Sequence, residues 1–198
     1  MASTINATTS SGIVATADNT GQLALQAAGT TIATISSTGL TMNSGNIIQA
    51  SGAAPAFSAY PNTDTSVPNS TSTVVANNTK EFDTAGCYNN TGSTVGGIPA
   101  YSFLPNVAGY YLFTATCDDE QSTAAVSRFI LTVDKNGSGY RVFDDMSTVT
   151  SVISGSVLLY MNGTTDSVRM SVYIASTGAK YGGNLSVTRF SGFMVRSA

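Results

Sequence analysis

Apolar and polar residues alternate with a period of two along much of this chain, the spacing of strands that bury one face. The cleanest case is Val168-Arg169-Met170-Ser171-Val172-Tyr173-Ile174, where Val168, Met170, Val172 and Ile174 fall on one side. In Arg128-Phe129-Ile130-Leu131-Thr132-Val133, the residues Phe129, Leu131 and Val133 share a face. Asp134-Lys135-Asn136-Gly137 follows as a turn, because Asn-Gly readily takes positive φ. Tyr110-Tyr111-Leu112-Phe113-Thr114-Ala115-Thr116-Cys117 is dense in β-formers, and Phe190-Ser191-Gly192-Phe193-Met194-Val195 reads as a closing strand. No segment has the period of an amphipathic helix. The stretch from Gln121 to Ser127 contains alanines, but it is short and runs straight into a strand pattern. The second part of the chain is therefore expected to be an all-β sandwich.

The pattern changes near residue 55. Residues 1–56 contain no Tyr or Phe, and Asp18 is their only charge. Asn19-Thr20-Gly21-Gln22-Leu23-Ala24-Leu25-Gln26 alternates, as do Ile32-Ala33-Thr34-Ile35 in part and Leu40-Thr41-Met42. Gly21, Gly29, Gly39 and Gly45 recur at intervals of roughly ten residues, the look of short strands joined by turns. The aliphatics here (Leu23, Leu25, Ile32, Ile35, Leu40, Met42, Ile47, Ile48) are too few for a core of their own. Such a segment must pair with copies of itself, pair with another protein, or stay disordered, and pairing around a threefold axis is the favoured reading. Two domains are expected: a β-rich stem or attachment arm over 1–54 and a head over 55–198.

Composition narrows the function. Charged residues make up 10% of the 198, against about 25% in ordinary domains, and Ser, Thr, Asn and Gly take their place. A net charge of −3 with no basic stripe argues against a nucleic-acid partner. No long apolar run calls for membrane insertion. The N-terminus, Met1-Ala2-Ser3-Thr4-Ile5, lacks the basic region and apolar core of a secretion signal, so the chain is expected to be a whole, cytoplasmically made product. The absence of His removes imidazole acid–base chemistry and His-held metals. Cys87 and Cys117 are expected as buried thiols, with a disulfide or a reactive thiol as the alternatives.

The second part resembles the globular head of the C1q and tumour-necrosis-factor-like superfamily, and the likeness is spread over ordered blocks. Pro55-Ala56-Phe57-Ser58-Ala59-Tyr60 resembles the family's first strand, and Phe82-Asp83 through Tyr88-Asn89 the segment before its third. Phe103-Leu104-Pro105-Asn106-Val107-Ala108-Gly109-Tyr110-Tyr111-Leu112-Phe113 is close to F-x-P-x-x-x-G-x-Y-x-F, the most diagnostic block. Leu131 through Lys135-Asn136-Gly137 resembles the L-x-K-N-G turn, Ser154 through Met161 the strand before a Gly-Asp turn, and Phe190 through Val195 the terminal FSGFLL. One departure stands out: Gly163-Thr164-Thr165-Asp166-Ser167-Val168 is longer than the family's Gly-Asp-x-Val hairpin. There is also no collagen repeat. The resemblance implies a jelly roll of about ten strands that forms a tight homotrimer. Asn19 to Leu25, Thr30 to Ile35 and Gly39-Leu40 resemble the N-terminal repeats of phage tail-fibre and other virion appendage proteins.

Candidate chemistry is sparse. Asp118-Asp119-Glu120 is the densest acidic cluster; it could contribute to a Ca²⁺ site, as in some members of the family, or form a solvated turn. Otherwise no cofactor is expected. Asp144 and Asp145 are neighbours in a strand, so they point to opposite faces and make a poor catalytic pair. Most of the tyrosines (among them Tyr88, Tyr101, Tyr110, Tyr111, Tyr140, Tyr160 and Tyr173) are expected in the core or a subunit interface. Tyr181-Gly182-Gly183-Asn184 reads as a loop tip, with Tyr181 and Asn184 as candidates for receptor binding. The sequons at Asn77, Asn136 and Asn162 follow from composition. No nucleophile elbow is present, so no catalytic residue is assigned and the protein is expected not to be an enzyme. The reading is a phage virion structural protein assembled in the host cytoplasm. It would be a trimeric fibre or appendage, docked to other virion proteins through Leu23, Leu25, Ile32 and Ile35, with a head free to meet a host-surface glycan or protein. The alternative is a capsid decoration protein bound as trimers on the shell.

Overall fold

The computed structural model describes residues 21–37, 39–42, 54–120, 126–145 and 152–198; of Ala27, Met42, Asp144 and Asp145 it describes the backbone only. The chain divides into two compact units, Met1–Ser51 and Gly52–Ala198. Every regular element described is a strand.

In the first unit, β1 (Leu23–Ala27), β2 (Thr30–Ser36) and β3 (Gly39–Met42) form an antiparallel meander in that order. Leu23 pairs with Ile35 and Leu25 with Ala33, and Ile35 pairs in turn with Leu40. A bulge after Leu25 shifts the register, so that Gln26 pairs with Thr31. Ala33 is the one buried apolar residue among those described in this unit.

The second unit starts with β4 (Ala56–Tyr60), then the short β5 (Thr65–Ser66) and β6 (Thr73–Val74), and β7 (Thr79–Asp83). The long strands follow: β8 (Gly109–Asp118), β9 (Arg128–Lys135), β10 (Ser138–Asp145), β11 (Val152–Met161) and β12 (Val168–Ala175). Then come β13 (Lys180–Tyr181) and β14 (Arg189–Ser197). A five-stranded sheet has the order β11-β8-β14-β4-β7 and a four-stranded sheet the order β10-β9-β12-β6. β13 and β5 form a small ribbon.

The two-residue period sets what lies between the sheets. Phe129, Leu131 and Val133 on β9 are buried, as are Val168, Met170, Val172 and Ile174 on β12. Phe57, Tyr111, Phe113, Leu159, Met161 and Phe190 of the five-stranded sheet join them in a single core cluster. Phe57 stacks on Tyr88 and on Phe103, each with ring centroids 4.6 Å apart. Phe103, Tyr111 and Phe113, three of the residues in the diagnostic block, have no or almost no exposed surface. The Tyr111 hydroxyl donates to the Val107 carbonyl at 2.8 Å, so the ring is buried without leaving its polar end unmade. β9 turns into β10 through Asn136 at φ 54° and Gly137 at φ 80°, the double positive φ expected of a tight Asn-Gly hairpin.

Candidate assembly surface

The strand β8 carries side chains on two faces, and both are rich in apolar groups. Its odd-numbered residues enter the core. On the other face, cross-strand partners line up in rows, because directly opposed residues of antiparallel strands share a side of the sheet. Leu158 on β11 opposes Leu112 on β8, which opposes Phe193 on β14, which opposes Ala56 on β4. Beside that row Tyr160 opposes Tyr110, and their rings meet edge to face at 5.6 Å. Leu158 is 55% exposed and Phe193 49%. Tyr110, Tyr160 and the adjacent Val195 are exposed as well. The next rows turn polar: Ser156, Thr114 and Ser191, then Ser154, Thr116 and Arg189. Thr114 and Ser191 close a hydroxyl–hydroxyl bond of 2.6 Å. The outer side of the sheet thus carries an apolar patch with Arg196 opposite Tyr110 at one edge and hydroxyl groups with Arg189 at the other, on a sheet whose other side already faces a filled core. Grouped exposed apolar residues of this kind mark interaction surfaces.

The longer hairpin noted in the sequence braces one end of this band. Asp166 is its centre. Lys135 ion-pairs with Asp166 at 2.9 Å and donates to the Tyr160 carbonyl at 2.7 Å. Asn136 Nδ2 donates to Asp166 Oδ1 at 2.8 Å, and the Asn162 N–H donates to Asp166 Oδ2 at 3.0 Å. Asn162 Oδ1 accepts from the backbone N–H groups of Thr164, Thr165 and Asp166. Burial alone would push the Asp166 carboxyl up. The bonds from Asn136, Lys135 and Asn162 outweigh it and hold the pKa below the usual carboxylate value. The Lys-Asn-Gly turn and the extended hairpin therefore form one clamp.

The residues singled out from sequence are placed differently. Tyr181 is not an exposed ring. It is 1% exposed, and its hydroxyl accepts from the Ala76 N–H at 3.0 Å. The glycines after it do not make a tip. A Cβ on Gly183 would overlap the backbone of Thr63 and Asp64, so Gly183 is there because two segments press together. Asn184 is exposed, and its side chain accepts from the Ser186 N–H at 2.9 Å. Tyr181 therefore cannot meet a receptor from this fold, whereas Asn184 remains accessible.

In the acidic cluster, Asp119 is fully buried and its backbone bridges to Tyr181. Glu120 is exposed and Asp118 is buried. Asp118 and Glu120 approach one another over Gly182. Burial, followed by the charge and hydrogen bond of Glu120, raises the Asp118 pKa. Asp64 comes to the same place, donated to by the Gly183 N–H at 2.9 Å and 3.7 Å from Lys180. Among the described residues, no three carboxylates or thiols are arranged to hold a metal ion. Asp144 and Asp145 end β10, and their side chains lie outside the described set. Cys87 and Cys117 are both free and buried, and burial pushes both thiols up, away from the reactive thiolate. Three of the four docking candidates, Leu23, Leu25 and Ile35, share one side of the meander by register. Ile32 falls on the other.

No known family model matches the sequence, and no curated protein does. Solved structures match. The globular domain of zebrafish complement 1qA is 20% identical over 73% of this chain and 99% of its own, with a TM-score of 0.52. Murine APRIL, crystallised at pH 5.0, is 10% identical over 72% of this chain and 99% of its own, with a TM-score of 0.54. PRD1 vertex protein P5 is 14% identical over 73% of this chain and 99% of its own, with a TM-score of 0.52. At such identities the likeness is one of fold. The fold is that of a C1q/TNF-like jelly-roll head.

Proposed function

We propose that this chain is a non-enzymatic structural protein of a phage virion, a homotrimeric fibre or appendage whose N-terminal unit docks to the particle. The head is then the part that meets a host surface, where three linked copies turn weak single contacts into firm attachment. The observation that carries the reading is the outer apolar band of Leu158, Leu112 and Phe193 with Tyr110 and Tyr160. Fully burying one such side chain is worth about 1.5–3 kcal/mol, so a shared contact of several residues supports a lasting interface. Stable obligate interfaces bury more than about 2,000 Å² and are apolar at their centre, as this band is. The likeness in fold to a phage vertex protein supports the virion setting. Sedimentation of the full chain at micromolar concentration tests the assembly: a trimer is expected, and a stable monomer overturns the reading.

A second reading, a decoration protein bound as trimers on the capsid shell, is favoured by one observation. The meander strands are only 5, 7 and 4 residues long. At about 3.3 Å per residue, the longest spans roughly 23 Å, which suits an arm better than a shaft. Locating the protein on intact particles decides between the two. A few copies at a vertex, neck or tail favour the appendage, and copies over the whole shell favour decoration.

A further inference from the structure

We infer that the apolar face of the β1–β2–β3 meander is a self-association surface, covered by the same face of two further copies of this chain. The inference rests on the trimeric reading above and assigns the meander a task within it. The register places Leu23, Ile35 and Leu40 in one cross-strand row and Leu25 and Ala33 in the next, all on one side. Leu23, Leu25, Ile35 and Leu40 are all exposed in the single chain, Leu40 by 52%. Their neighbours Ala24, Thr34 and Thr41 pair across the opposite side.

An isolated three-stranded meander of this length has too little to bury, so it needs a cover. Three features point to copies of itself. Residues 21–42 hold no charged side chain, so nothing repels an identical face, and a charged partner would find no complementary group. The rows of aliphatic residues are uniform in kind, so a rotated copy offers the same surface. Residues 43–53 join the meander to the head, and a head that trimerises tethers three meanders together. Tethering by a short segment sets an effective concentration near the millimolar range, which makes weak apolar contacts sufficient. Ile32 then stays outside the bundle, beside Thr34, and is the one residue of the docking set left for the particle.

The test uses single cysteines in the full chain, since Cys87 and Cys117 are buried and stay silent. Ile35→Cys and Leu25→Cys sit on the apolar face, and Ile32→Cys sits on the opposite face as the control. Each variant is oxidised at micromolar concentration, and its oligomeric state is measured by sedimentation before and after. The expected result is a trimer in which Ile35→Cys and Leu25→Cys link two chains of each three, on the order of a hundredfold faster than a mixture of untethered chains would. Ile32→Cys links slowly or not at all. A trimer in which all three variants link equally, or in which none links, overturns the inference and leaves the trimeric head standing. A monomer overturns both. Protection of Leu25→Cys from a maleimide only after particles are added would mean that a virion protein covers the face, and would overturn self-association.

Discussion

Phe113 and Leu25 are both strand residues on an apolar face, and their surroundings differ completely. Phe113 has no exposed surface and lies within 6.4 Å of four other aromatic rings. Leu25 is 40% exposed. Both units are built of antiparallel strands. What separates them is a second layer. The head folds one sheet over another and fills the gap with aromatics, so its strands are held by the chain itself. Among the described residues the meander is one layer, and the aliphatic groups on it stay exposed. A strand pattern thus specifies local geometry in both units, but only the head specifies its own stability.

That contrast can be broken most sharply at the core. Phe113→Ala is expected to cost the head about 3–5 kcal/mol in denaturant unfolding, whereas Leu25→Ala should leave the head transition where it was. A common shift for both would mean that the two units unfold as one. Next in size is the outer band. Leu158→Glu with Phe193→Glu is expected to weaken association by about 3 kcal/mol or more, above a hundredfold, with the strand signal in circular dichroism retained. Unchanged sedimentation would place the subunit contact elsewhere. Tyr181→Phe leaves the half-buried Ala76 N–H without its acceptor, a loss of about 1 kcal/mol read as a lower unfolding midpoint. If Tyr181 were instead at an exposed tip, that change would be silent.

The smallest effects are two carboxylates of opposite sign. The lowered pKa of Asp166 gives stability that is present above its unfolded value, about 3.9, and is lost as pH falls below it. Asp166→Asn should therefore flatten the acid side of the stability profile. The raised pKa of Asp118 works the other way: its stabilisation is present below that unfolded value and is lost as pH rises through the raised one. Asp118→Asn is expected to be neutral or stabilising near neutral pH, with the difference shrinking in acid. Unfolding midpoints from about pH 3 to 8 check both signs.

Much of this was legible from the chain. The alternation in β9 and β12 named the buried residues one by one, and Asn136-Gly137 named its turn. The apolar outer band was also written there, in runs with no alternation at all. Tyr110 to Phe113 and Val157 to Met161 are apolar on consecutive positions, which means both faces are meant to be covered. Tyr181 departs from the expected tip because Gly-Gly after an aromatic signals a tip locally, while the cause is a distant segment, Thr63-Asp64, pressed against Gly183. Asp64 beside Asp118 and Glu120 had no local signal, since its bonding partner Gly183 is 119 residues away. Contacts fixed by period or turn chemistry can be read along the sequence, and those fixed by which segments the fold brings together cannot.

The position of β14 has a consequence for how the protein is made. This last strand lies between β8 and β4, which do not pair with each other. During synthesis, β4 emerges early and must wait for about 130 further residues before its second neighbour exists, roughly 6 to 26 seconds at about 5–20 residues per second. Through that time β4 and β8 each present an open edge, the kind of edge that pairs with the wrong strand. Phe193 also belongs to β14, so the outer band stays incomplete until that strand joins the sheet. Recognition through that band therefore follows closure of the five-stranded sheet, and the strand order separates folding from assembly.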